Sequence, residues 1–157
     1  MFSSEIEGRF RHLVSIYPQK RSALIPMLLL AQQEQGYVSV EAMEYIAGII
    51  GISASEVEST MSFYTLLRRK PAGKYHMLIC TNLACMLRGS DDIEACVKRK
   101  LGVGLGQVTA DGLFSLEEVE CMGACSWAPA VEINYDFHHF VTPEKLDQLI
   151  DGLRKAQ

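Results

Sequence analysis

No stretch of this 157-residue chain approaches the roughly 18 consecutive apolar residues of a membrane-spanning helix. The longest apolar run, Ala23 to Ala31, is interrupted by Pro26, so direct membrane insertion is not expected. An excess of positive charge is also missing. Lys and Arg number 15 against 19 Asp and Glu, a net charge of −4, and nothing in that balance seeks the phosphates of a nucleic acid. Internal repeats and low-complexity segments are absent. Met1 to Glu5 lack the basic and apolar stretches of a secretory signal, which makes a reducing cytoplasmic location the expectation. The five cysteines are an odd number, which argues against a disulfide framework and for thiolates that bind metal or take part in catalysis.

Hydrophobic residues make up 48% and charged residues 22%, the balance of a globular protein with a real core. The length suits one ordinary domain or two small units. Charge divides unevenly along it: residues 1–72 carry seven acids and seven bases, residues 73–157 twelve acids and eight bases.

The first part reads as helical. Ile6, Phe10, Leu13 and Val14 recur at helical spacing before Pro18. A second helix is predicted over about 19–35, ending at Gly36 and kinked or restarted at Pro26, and a third over 40–50 with Gly51 as its stop. Ser53 with Glu56 forms a capping-box pattern that opens a fourth helix through Val57 and Met61. At Lys70-Pro71-Ala72-Gly73 the pattern turns mixed, predicting a helical unit over 1–72 and an α/β unit over 73–157. In the second unit, strands are predicted over 75–80, 113–120 and 130–134. Helices are predicted over 91–101 and, after Thr142-Pro143-Glu144, to about 154.

Four cysteines carry the chemistry. Cys80 and Cys85 are separated by four residues, Cys121 and Cys125 by three, and 35 residues lie between the pairs. Both pairs are predicted on loops at strand ends, which a sheet can bring together. Structural zinc sites use tight pairs around one ion with Zn–S bonds of about 2.3 Å; the first pair is compatible with that and the second lies at its edge. A 2Fe-2S cluster takes two thiolates on each iron and tolerates wider pairs. Scattered buried cysteines are the third reading. A Rieske centre is excluded, because His12, His76, His138 and His139 stand in no Cys-x-His pair. Gly89 and Gly123 are placed to let backbone N–H groups approach the sulfurs, and Glu117, Glu118 and Glu120 would lower a nearby cluster's potential.

Other features have plainer readings. Cys96 falls on a helical face with Ile93 and Val97 and reads as core. Gly102 to Gly106 lacks the spacing of a nucleotide-binding loop and follows a helix. His138 and His139 are adjacent strand positions facing opposite ways, and Arg68-Arg69-Lys70 is a solvated helix end.

Ser62-Phe63-Tyr64-Thr65, Pro71 to Tyr75, Cys80-Thr81, Cys85, Glu118 to Cys125 and Ala128-Pro129 together resemble the family of the 24 kDa (E) subunit of respiratory complex I, the NADH:quinone oxidoreductase. The likeness extends over nearly the whole chain, including Ala31-Gln32 and Gly36-Tyr37-Val38. It implies a helical N-terminal bundle followed by a thioredoxin-like domain with one 2Fe-2S cluster, held by Cys80, Cys85, Cys121 and Cys125. It further implies a partner, the 51 kDa (F-type) flavoprotein subunit that binds NADH and FMN and exchanges single electrons with that cluster. This chain would then be an enzyme subunit with no catalytic side chain of its own, peripheral to the inner face of the bacterial plasma membrane through the complex. The equivalent diaphorase subunit of an NAD-dependent hydrogenase or formate dehydrogenase is the neighbouring reading, and a zinc-stabilised interaction module the reading of a different class. Ser126-Trp127 departs from the family, where a small or aliphatic residue followed by Asn is common.

Overall fold

The computed structural model describes residues 2–156, and the chain divides into two compact units, Met1–Pro71 and Ala72–Gln157. Each has its own core. No helix among the described residues is long and apolar enough to cross a membrane.

The first unit holds helices α1 (Ser4–Ile16), α2 (Leu24–Gln35), α3 (Val40–Ile50) and α4 (Ala54–Phe63), with a 3-10 turn at Lys20–Ala23. Side-chain caps start three of them. Ser3 accepts from the Ile6 N–H, Ser39 from the Ala42 N–H, and Ser53 with Glu56 closes the full capping box. Pro26 does not kink α2. It sits in the first turn, where the missing N–H has no intrahelical partner to lose, so the helix restarts just ahead of it. Gly36, at φ 80, ends α2 in the left-handed conformation that a side chain would disfavour.

Phe10, Met27, Leu28, Ile46 and Met61 are fully buried in this core, each stabilising it by about 1.5–3 kcal/mol. One buried polar residue, Gln32, sits among them. Its carboxamide donates to the Leu66 carbonyl at 2.8 Å and accepts from the Arg68 N–H at 2.6 Å, while the Val38 N–H donates to the Arg68 carbonyl at 2.8 Å. The chain after α4 is thereby bound back onto α2 and its exit.

The second unit is built on a five-stranded mixed sheet in the order β2-β3-β1-β4-β5. Its strands are β1 (Tyr75–Cys80), β2 (Gln107–Val108), β3 (Phe114–Val119), β4 (Val131–Ile133) and β5 (Asp136–His138). β1 and β3 run parallel from Tyr75↔Phe114 to Cys80↔Val119, and the other pairings are antiparallel. Helices α5 (Leu83–Leu87) and α6 (Ser90–Leu101) lie between β1 and β2 in the chain, and α7 (Pro143–Lys155) ends it. Alternation along the strands sends Met77, Ile79, Phe114, Leu116, Val131 and Ile133 to one face. There they pack against Ile93 and Val97 of α6 and Leu146 and Ile150 of α7.

Gly73, just ahead of β1, runs close against the start of β3. A Cβ there would stand 2.4 Å from the Phe114 carbonyl carbon and 2.6 Å from the Ser115 nitrogen. Gly73→Ala is expected to lower stability by about 2 kcal/mol or more, because β1 must move off β3. Gly48 is exposed inside α3, and a methyl added there would meet nothing within 4 Å, so Gly48→Ala is expected to raise stability by about 0.5–1 kcal/mol. Urea unfolding midpoints of the two variants check both signs.

Candidate metal-thiolate centre

A parallel strand pair ends both strands at the same edge of a sheet. Cys80 is the last residue of β1, and Cys121 lies two residues beyond the end of β3, so two cysteine-bearing arms leave the sheet side by side. The Thr81 N–H donates to the Val119 carbonyl at 3.0 Å, and the Cys80 N–H donates to the Ala130 carbonyl at 3.2 Å, which brings the start of β4 to the same edge. The Cys80 thiol lies 3.8 Å from the Glu120 carbonyl.

The first arm is not a simple loop. Cys85 sits within the five-residue helix α5, whose first turn opens after Asn82. Cys125 opens a 3-10 turn, Cys125–Trp127, so the second pair does flank a loop. Cys80 and Cys85 are buried, while Cys121 and Cys125 are exposed. Around the buried pair the packing is made of small residues: Ala124, Ala128 and Ala130, with Ala84, Val119 and Met122 beside them.

Cys85 and Cys125 each feel neighbouring thiols. Burial, first, and then contact with Cys80 and the charge of Cys125 push the Cys85 thiol above the ordinary range, while the Ala130 N–H pulls the other way. The Cys125 thiol is raised chiefly by the charge of Cys121, then by contact with that thiol and by burial, with Cys80 a further contributor. Among the described residues no three Cys, His, Asp or Glu side chains converge as a single ion would require. The thiols stand instead as two adjacent pairs.

Gly123, at φ 75, turns its N–H onto the Cys121 sulfur at 3.4 Å, in the role its sequence position suggested. Gly89 acts differently. Its N–H donates to the Met86 carbonyl at 3.0 Å, and its left-handed backbone leads into α6. Glu117 turns away toward His76, whose Nε2 lies 3.3 Å from the carboxylate while Nδ1 lies 2.8 Å from the Ser115 hydroxyl. Glu118 and Glu120 lie at the arm's root, Glu118 exposed and Glu120 exposed beside Cys121.

Cys96 is apart from the four. It is buried between α6 and α7, and its thiol lies 3.5 Å from Asp147 Oδ1 and 3.8 Å from the Pro143 carbonyl. Burial and the Asp147 carboxylate raise its pKa. Trp127 is half exposed, its ring 5.1 Å from that of His139, and its carbonyl accepts from the Phe140 N–H at 2.9 Å. Sequence reasoning passed over Arg88, whose Nε–H donates to the Ala128 carbonyl at 2.9 Å across the two arms. The signal that could have found it was its being the only Lys or Arg in segments 80–90 and 119–129.

A mixed sheet with paired thiols at the shared end of two parallel strands defines a thioredoxin-like domain with a candidate thiolate centre. The chain belongs to the thioredoxin-like [2Fe-2S] ferredoxin family, whose model matches residues 10–154. It is 45% identical over 145 residues to the E subunit of the NADH-quinone oxidoreductase of Rickettsia bellii, covering 90% of this chain and 87% of that one. To the E subunit of the same enzyme in Mycobacterium tuberculosis it is 38% identical over 151 residues, 96% of this chain. The chain spans 60% of the length of that mycobacterial relative. In structure it is similar to an NAD+-reducing [NiFe]-hydrogenase in the air-oxidized state, with a TM-score of 0.75 at 20% identity over 85% of this chain and 23% of that one.

The burial difference predicts an order of reactivity. With metal removed, iodoacetamide near neutral pH is expected to modify Cys121 and Cys125 about tenfold or more faster than Cys80, Cys85 and Cys96. Peptide mass spectrometry over a time course reads that order directly.

Proposed function

We propose that this chain is the electron-transfer subunit of an NADH:quinone oxidoreductase, with Cys80, Cys85, Cys121 and Cys125 holding one 2Fe-2S cluster. The observation that carries the reading is that two cysteine pairs sit on arms leaving the same edge of the sheet, with Cys85 beside Cys80 and Cys125 beside Cys121. Two pairs suit a centre in which each iron takes two thiolates. When bound, such a cluster supplies one-electron redox chemistry.

The rest of the work falls to this chain's own residues. Gly123 and Ala130 present N–H groups to the Cys121 and Cys85 sulfurs, and the Ala130 N–H partly offsets the burial that raises the Cys85 thiol. Ala124, Ala128 and Ala130 pack close to Cys80 and Cys85 and keep water from that side. Cys121 and Cys125 face outward, toward where a partner would lie. That partner is a flavoprotein of 51 kDa type carrying FMN and the NADH site, and the two sit in a complex at the inner face of the plasma membrane. The identity to the E subunits of quinone-reducing enzymes supports this assignment over a diaphorase role in a hydrogenase or formate dehydrogenase, since the likeness to the hydrogenase is one of fold. No side chain of this chain is assigned as acid, base or nucleophile.

Anaerobic purification followed by metal and sulfide analysis is expected to find about two irons and two sulfides per chain and a visible spectrum that bleaches on reduction. Cys96→Ala should keep that content, and Cys121→Ala should lose or weaken it. A colourless protein with one zinc, or a Cys121→Ala variant with full cluster content, would overturn the assignment.

A further inference from the structure

Arg88 connects the two cysteine arms twice over. Its backbone N–H donates to the Cys85 carbonyl at 3.1 Å, and its side-chain Nε–H donates to the Ala128 carbonyl at 2.9 Å. The Ala128 N–H in turn donates to the Cys125 carbonyl at 3.4 Å. One residue therefore runs a continuous hydrogen-bonded path from Cys85, on the arm that follows β1, to Cys125, on the arm that follows β3. Ala128 and Ala130 flank Pro129, and Ala130 is itself tied to Cys80 through its carbonyl and to the Cys85 sulfur through its N–H. The bond from Arg88 thus lands on the short segment against which both buried cysteines rest.

Charge singles out the same residue. Segments 80–90 and 119–129 hold one cation, Arg88, whereas Glu118 and Glu120 stand exposed at the base of the second arm. A centre held by four thiolates gains a further negative charge on reduction, which a guanidinium beside it favours and carboxylates disfavour. Arg88 is exposed, so salt screens this charge effect. The hydrogen bond to Ala128 depends on the direction of the Nε–H and is not lost in the same way.

We propose that Arg88 is the positioning residue of the centre: its side chain clamps the Cys85 arm to the Cys125 arm, and its charge raises the potential of the group they hold. The proposal rests on the ligand set put forward above. Lys in its place keeps a charge but has no Nε–H in a planar fork, so the two roles separate by substitution.

The test compares the purified 157-residue chain with Arg88→Gln and Arg88→Lys. Cluster loss under a chelator is followed by visible absorbance, the midpoint potential by anaerobic titration at low and high salt, and the unfolding of the metal-free proteins by urea. Arg88→Gln is expected to lose the cluster about 10–100-fold faster and to have a more negative midpoint at low salt, a shift that shrinks at high salt. Arg88→Lys is expected to return the midpoint toward that of the parent while the cluster is still lost faster. The metal-free unfolding midpoints should stay together.

Parent-like retention and potential in Arg88→Gln would overturn the proposal. Full recovery of retention in Arg88→Lys would overturn the clamp. Should Arg88→Gln not fold, the split in Arg88→Lys between potential and retention decides alone. A parent protein without a cluster would instead overturn the ligand assignment beneath it.

Discussion

Six consecutive residue pairs hold β1 parallel to β3, from Tyr75↔Phe114 to Cys80↔Val119, and a parallel pair releases both chains at the same edge. The two cysteine arms therefore leave side by side, although 35 residues of helix, loop and strand lie between them in the chain. The sheet needs a close start to reach that register. Gly73 admits the Phe114 backbone where any Cβ would collide, so the position of the thiols at one end depends on a missing side chain at the other. α6 and α7 then bury the face carrying Met77, Ile79, Phe114 and Leu116, which fixes the strands against sliding.

Within the site the two pairs live in different media. Cys80 and Cys85 lie among alanines, and the low polarity there keeps Cys85 protonated more firmly than a surface thiol would be. Cys121 and Cys125 meet solvent, and Cys125 is shifted chiefly by its neighbour's charge. The Ala130 N–H partly offsets the burial at Cys85, and the Gly123 N–H reaches the Cys121 sulfur at 3.4 Å.

Much of the fold could be read from the residues alone. The helices of the first unit declare themselves through repeated apolar positions and the capping box at Ser53, and the strands beginning near Tyr75, Leu113 and Ala130 are long or apolar enough to stand out. β2 and α5 escaped because two and five residues are too few to establish a period, and β5 showed only as the strand read at His138 and His139, of which the structure keeps His138. For the candidate site, the spacing of the four cysteines drew attention to them as two pairs, and the isolation of Cys96 on a helical face set the fifth apart. What spacing does not carry is direction. Nothing in the local sequence says that Gly89 would bond to Met86, that Glu117 would turn to His76, or that the Arg88 side chain would reach a carbonyl 40 residues away.

Gln32 has a consequence for where this chain divides. Its buried carboxamide is matched at both ends by the backbone of Leu66 and Arg68, so the segment after α4 completes the first core instead of serving as a tether. A protease or an engineer cutting just past Phe63 would strip those partners and strand an amide in an apolar interior. A cut between Pro71 and Ala72 leaves every one of those bonds in place. The natural seam of the molecule thus lies several residues beyond its last N-terminal helix.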